Sequence, residues 1–367
     1  MDDDPTIPPR ATVGPTRPYR GARSNASGRF EAQAREAVDD GWGSAWDDDL
    51  PPLRTTVQDD ATRSILARND SPDIPFDRSI NPYRGCEHGC IYCFARPTHA
   101  YLGLSPGLDF ETRLFAKPDA PALLEKELSR KGYTCRPIAI GTNTDPYQPI
   151  ERQRRIMRGV LEVLAAWNHP VMITTKSALV ARDADILGPM AAKGLASVGL
   201  SVTTLDRALA RSLEPRASPP AARLRAMRVL ADAGVPVAVM VAPVIPGLTD
   251  HELEAILEAA AAHGAGAVET IVLRLPLEVA GLMTEWLEEH HPTRAAKVLS
   301  LVRQMRGGAL YDSRFGARRS GQGPLAGLLA RRVEVARRRL GLARVRLALR
   351  CDLFGRPPRA GDQLALF

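Results

Sequence analysis

The stretch that decides how this chain is read is Cys86-Glu87-His88-Gly89-Cys90-Ile91-Tyr92-Cys93. It gathers three of the five cysteines into eight residues, at C-x3-C-x2-C spacing. Thiolates packed this closely hold metal, because soft sulfur ligands select zinc, copper(I) or iron–sulfur clusters. No fourth cysteine follows at ferredoxin-like spacing. On a 4Fe–4S cluster three thiolates leave one iron without a protein ligand, and an open metal position is where chemistry is done. The rival reading is a structural zinc with His88 or His99 as fourth ligand. Zinc uses C-x2-C pairs, usually two of them, and no second pair follows here.

Outward from the loop, the chain alternates short apolar runs with amphipathic ones. Ser79-Ile80-Asn81-Pro82-Tyr83 reads as a first strand. Residues 137–141, 171–174, 197–202, 235–242 and 267–273 follow, each rich in Ile, Val and Ala. Helical patterns cover 151–167, 182–193, 219–233 and 250–263. Thr249 with Glu252 three residues on predicts a capping box, and Gly234 a C-cap. Strands alternating with helices of this length predict parallel βα units, in a barrel or an open sheet, with functional groups where strands end. Those ends are polar: Thr142-Asn143-Thr144-Asp145, Thr175-Lys176-Ser177, Ser201-Val202-Thr203-Thr204, Ile245-Pro246-Gly247 and Arg274. Together they read as the wall of a site.

A C-x3-C-x2-C loop with Tyr92 before its last cysteine, followed by these strand ends, resembles the radical S-adenosylmethionine (SAM) superfamily over roughly residues 78–300. The resemblance implies an α/β fold, a partial TIM-type βα barrel, holding a 4Fe–4S cluster on Cys86, Cys90 and Cys93. It also implies that SAM binds the open iron and is cleaved reductively to a 5′-deoxyadenosyl radical that abstracts hydrogen from a substrate. Thr142, Asn143 and Asp145 then offer acceptors to the SAM ammonium. Lys176 and Ser201 offer donors to its carboxylate or ribose, and Arg216 adds a charge-assisted bond. The Ile245 turn suits a flat adenine. Within the superfamily the chain is most similar to the branch around spore photoproduct lyase, a DNA-repair family. The similarity runs through Thr144-Asp145-Pro146, Thr175-Lys176, Ser201, Glu214-Pro215-Arg216 and Ala242-Pro243-Val244. One departure bears on chemistry: Thr142 stands where that family carries a hydrogen-donating cysteine. Cys135 lies ~20 Å away, at the other end of the same strand. The family's own route is therefore not expected, and no residue is nominated as hydrogen donor.

The 367 residues allow a sizeable core. The reading divides them into an irregular arm (1–68), expected to be disordered or to drape over the body, a core (69–305) and a basic helical extension (306–367). The acidic start lacks a secretory pattern, no apolar run approaches the ~18 residues of a membrane span, and the cysteines fit a reducing compartment, so a cytoplasmic protein is expected. Residues 303–359 carry fifteen arginines and no lysine against Asp312, Glu334 and Asp352, within a net charge of +7. That points to DNA or RNA as partner through the basic C-terminal region. Gln363-Leu364-Ala365-Leu366-Phe367 resembles the pentapeptide that docks repair proteins on the sliding clamp. A low-potential electron donor is the remaining expected partner. The expected function is radical SAM chemistry on nucleic acid, as in DNA repair. The alternatives are RNA modification, a small-metabolite substrate, or a non-catalytic zinc-containing nucleic-acid-binding protein.

Overall fold

The structure, a computed structural model, describes residues 19–31, 33, 53–345 and 349–358. The Gln363–Phe367 tail lies outside the described residues. The strands are β1 (Thr56–Asp59), β2 (Leu66–Arg68), β3 (Arg78–Ile80), β4 (Tyr83–Arg84), β5 (Arg113–Ala116) and β6 (Ile138–Ile140). Then come β7 (Val171–Thr175), β8 (Ala196–Ser201), β9 (Val237–Val244), β10 (Ala267–Val272) and β11 (Ala343–Arg344). The main sheet runs β11-β10-β9-β8-β7-β6-β3-β2. All its pairings are parallel except that of β2 with β3. A second sheet of order β1-β5-β4 stands at the start of the cysteine loop.

The alternation seen in sequence is this sheet and its crossovers. The helices that matter below are α1 (Ala120–Leu128), α2 (Ile156–Ala166), α3 (Ala184–Ala192), α4 (Pro220–Asp232), α5 (Leu253–Ala262), α6 (Glu278–His290), α7 (Pro292–Gln304) and α8 (Gly323–Arg339). Helix α2 buries Ile156, Met157, Val160, Leu161 and Leu164, one stripe at helical spacing, into the same core as Ile138, Ile140, Val171 and Ile173. Each such side chain contributes roughly 1.5–3 kcal/mol by leaving water. The sheet is open rather than closed, so the expected partial barrel is an arc with β2 and β11 at its edges.

Four expectations are redrawn. The helix read over 151–167 breaks at Arg155, whose φ is 50°, into a four-residue turn and α2. The Thr249–Glu252 capping box does not form. Thr249 Oγ1 accepts from the Ile245 amide, and Glu252 reaches across to Thr204 Oγ1 and the Leu205 amide. The arm is not irregular throughout: β1 and β2 fall inside it, and Arg20, Ala22 and Ser24 are buried against the body. The extension is not a separate unit either, since β11 adds to β10 and Arg332 of α8 pairs with Glu254 of α5. The Gly234 cap is present, with φ 77°. Among the described residues no helix is long and apolar enough to cross a membrane.

Candidate active site

The cysteine loop leaves β4 and is folded around two charged side chains buried completely, Arg96 and Glu111. Arg96 donates to the carbonyls of Gly89 (3.0 Å), Cys90 (2.9 Å), Pro106 (3.1 Å) and Gly107 (3.0 Å), and to Glu111 Oε1 at 2.5 Å. Glu111 also accepts from the Gly21 and Ala22 amides, both at 2.9 Å, which brings the arm against the loop. Gly89 has φ +67°, and a Cβ there would lie 2.8 Å from the Glu111 carboxylate. The loop's other side is held by Gln148, which accepts from the Glu87 amide and donates to the Gly85 carbonyl. His88 Nδ1 lies 3.3 Å from Asp145 Oδ2, and Arg216 Nη1 lies 2.9 Å from Glu87 Oε1.

Behind the loop the ends of β7, β8 and β9 converge on a buried ionic hub. Lys176 Nζ donates to Ser201 Oγ at 2.6 Å and to the Ala242 carbonyl at 3.0 Å, and lies 3.4 Å from Glu214 Oε1. Glu214 accepts from Tyr92 Oη, from Thr203 Oγ1 at 2.8 Å, and from Arg223 Nη2. Burial opposes the charge on Glu214, but Arg223 and Lys176 outweigh it and hold the carboxyl far below its usual range. Burial, and behind it the Glu214 charge, pushes the Tyr92 phenol well up, so it remains a donor. At Asp145 burial is likewise outweighed, here by His88, the Lys176 amide and the Thr175 hydroxyl.

Burial raises all three thiols, and their neighbours add to it: Asp145 and the other two cysteines at Cys86, Glu214 at Cys90. Lys176, Arg223, Arg96 and Arg274 pull the other way. A metal that displaces the thiol protons therefore meets thiolates already surrounded by cations. The donor set suits a cluster. The thiols are close enough to repel one another and share apolar walls with Phe110, Ala95, Tyr92 and Ile245. Among the described residues no three His, Cys, Asp or Glu groups are placed to hold one metal ion.

Of the residues expected at the site, Lys176 and Ser201 touch one another, and Asp145 fixes the Lys176 backbone. Ile245 is buried in the apolar cluster that contains Cys90 and Tyr92, beside the partly buried Cys93. Thr142 and Asn143 follow β6 half-buried, and the Asn143 amide donates to Asn81 Oδ1 at 3.2 Å. Arg216 lies on the arm side of the loop, shared with Glu87 and Thr55. Tyr147 donates to Asp183 Oδ2 in the core at 3.1 Å. His99, the other suggested zinc ligand, donates to or accepts from nothing in the loop; its Nε2 is 3.0 Å from the Arg113 carbonyl. Cys135 precedes β6 at the end away from Thr142, next to Cys351. Sequence reading missed Arg96, Glu111 and Gln148, whose partners are backbone groups that no spacing reveals. It also missed Arg223 as the partner of Glu214.

A profile of the Radical SAM superfamily matches residues 80–260. An uncharacterised protein of Mycobacterium tuberculosis is 40% identical over 233 residues, which cover 63% of this chain and 68% of that one. Among solved structures, a mutant of spore photoproduct lyase superposes with a TM-score of 0.55 at 19% identity, covering 78% of this chain and 80% of that one. Spore photoproduct lyase complexed with dinucleoside spore photoproduct gives 0.52 at 19% identity, covering 77% of each.

Proposed function

The chain belongs to the radical SAM superfamily, and from that premise we propose that it acts in the cytoplasm on a nucleic-acid strand, in a DNA-repair reaction. As a radical SAM enzyme it uses a 4Fe–4S cluster and SAM, which when bound supply reductive cleavage of SAM and hydrogen abstraction from a substrate carbon. The non-catalytic zinc alternative falls with that membership. Cys86, Cys90 and Cys93 hold three of the four irons. Lys176 and Ser201, already oriented by the Ala242 carbonyl, bind the SAM carboxylate or ribose. Thr142, Asn143 and Asp145 would offer acceptors to the SAM ammonium, Ile245 would line the adenine, and Arg216 steadies the loop through Glu87.

The observation that carries the nucleic-acid reading is where the arginines of the extension lie. On α8 and after it most are paired: Arg332 with Glu254, Arg337, Arg338 and Arg344 with Glu334, and Arg339 with Glu258, while Arg331 is exposed to solvent. The earlier group is at the end of β10. Arg306 donates to the Val272, Leu273 and Ala317 carbonyls, Arg319 to Glu269, and Arg274 stacks on Phe94, next to Cys93. Arg274, beside the cysteines and without a carboxylate of its own, suits a polyanionic substrate.

Anaerobic reconstitution tests the reading. The expected result is a brown protein that cleaves SAM to 5′-deoxyadenosine and methionine with a low-potential electron donor. Cleavage is lost in Cys90→Ala and raised by DNA more than by RNA of the same sequence. Rate enhancement by neither polymer would overturn the nucleic-acid reading and leave the cofactor chemistry standing. Clamp docking through Gln363–Phe367 is tested by pull-down with a bacterial sliding clamp. Capture is expected for the full chain and not after deletion of residues 363–367; capture of both or of neither removes the idea.

A further inference from the structure

Among the described residues at the end of β10, Arg306 and Arg274 have no carboxylate partner, and of the two only Arg274 also lacks carbonyl acceptors. Glu269 pairs with Arg319 at 2.7 Å. Asp73 is taken by Arg318, and Asp312 by Arg314. Arg306 directs its donors to three carbonyls. Among the described residues Arg274 has neither a carboxylate nor a hydrogen-bond acceptor; it rests on the Phe94 ring, with Cζ 4.0 Å from the centroid.

An unpaired guanidinium that is only partly in water is costly, because it has lost hydration without gaining acceptors. Burial draws Arg274 down from its usual range, with Arg318 and Arg319 adding to it and Tyr311 opposing. Its place is also informative. Phe94 follows Cys93 directly and is 42% exposed, although large aromatic rings are normally covered. A guanidinium resting on an aromatic face keeps its N–H edge for an oxyanion, and arginine presents that edge as a fork. An exposed ring beside a cation is the pairing with which proteins hold a base and its phosphate together.

We propose that Arg274, stacked on Phe94 at the rim of the cysteine loop, binds a backbone phosphate of the substrate strand, with Phe94 offering the stacking surface for the adjoining base. This rests on the nucleic-acid reading above. It assigns the contact nearest the reacting centre to β10 rather than to the arginines of α8.

The test uses the full-length, cluster-loaded protein and a short fluorescein-labelled single-stranded DNA, with RNA of the same sequence alongside. Affinity is measured by anisotropy across a salt series. Arg274→Gln is expected to weaken binding roughly tenfold for every sequence, and to lower the slope of log affinity against log salt by about one. Arg274→Lys restores the slope but not the full affinity, since it keeps the charge and loses the fork. Arg331→Gln removes the same charge from the exposed face of α8 and serves as control; an equal loss there overturns the assignment. Unchanged affinity and slope in Arg274→Gln, with the unaltered protein binding, overturn this proposal alone. No binding by the unaltered protein overturns the nucleic-acid reading and this proposal with it. A fall in SAM affinity by calorimetry with intact oligonucleotide binding overturns it differently, by assigning Arg274 to the SAM carboxylate.

Discussion

Glu214 is the residue on which the site's order depends. Its two oxygens receive Tyr92, Thr203 and Arg223, with Lys176 alongside, and none of the four has water as a substitute. Glu214→Ala strands two cations in the interior, so a loss of about 3–5 kcal/mol is expected in urea unfolding. Arg96 is its counterpart under the loop. Arg96→Met leaves the Glu111 carboxylate and four carbonyls without their donor. The expected outcome is a folded protein with far lower iron content after reconstitution, while Arg96→Lys recovers little because one ammonium cannot replace the fork. Gly89→Ala is expected to lose cluster loading as well, since the left-handed backbone and the Glu111 carboxylate both oppose a Cβ. Iron analysis reads each of these directly. Neither Arg96 nor Glu111 was visible in sequence as a pair, because what joins them is the path of the loop between.

At the scale of elements, the clearest difference between reading and structure is α5. The Thr249–Glu252 pattern is that of a capping box, but in the fold Glu252 serves the β8 loop. It ties Thr204 and Leu205 to the helix that follows β9. Glu252→Ala is therefore expected to cost about 1–3 kcal/mol through stranded donors, with α5 helicity by circular dichroism nearly unchanged. A capping residue would show the reverse, a loss at the helix itself. The strands β6 to β10, in contrast, were legible to within two residues, while β1, β2, β5 and β11 were not read from the sequence. Runs such as Val171–Thr175 are short, apolar and β-branched, and burial of alternate side chains against α2 and α3 leaves them no other place.

For the whole molecule, two histidines set a pH limit. Burial holds His99 and His169 neutral, with pKa values lowered to about 4. His169 also meets Tyr133 Oη at 2.8 Å. Between pH 6.5 and 4 the unfolded chain binds protons that the native state refuses. The stability is thus fully present above about pH 6.5 and falls as pH drops toward 4, by up to about 3 kcal/mol for each residue. Urea midpoints at pH 7.5 and pH 5 check this, and His169→Gln should flatten the decline by about one proton. Midpoints that do not move between the two pH values would remove both histidines from the account.

What the sequence determined by itself is local or periodic. The cysteine spacing, the βα alternation, and the polar residues at the ends of β6 to β10 all lie close together along the chain, and their chemistry does not depend on distant partners. What only the tertiary structure decided is which charges meet. It joined Glu214 to Arg223 and Lys176, gave Glu269 to Arg319, paired four of the arginines of α8 with carboxylates, and left Arg274 alone on Phe94. Those pairings depend on where the crossovers bring separate strand ends, and a charge in sequence carries no record of the partner it will find across space.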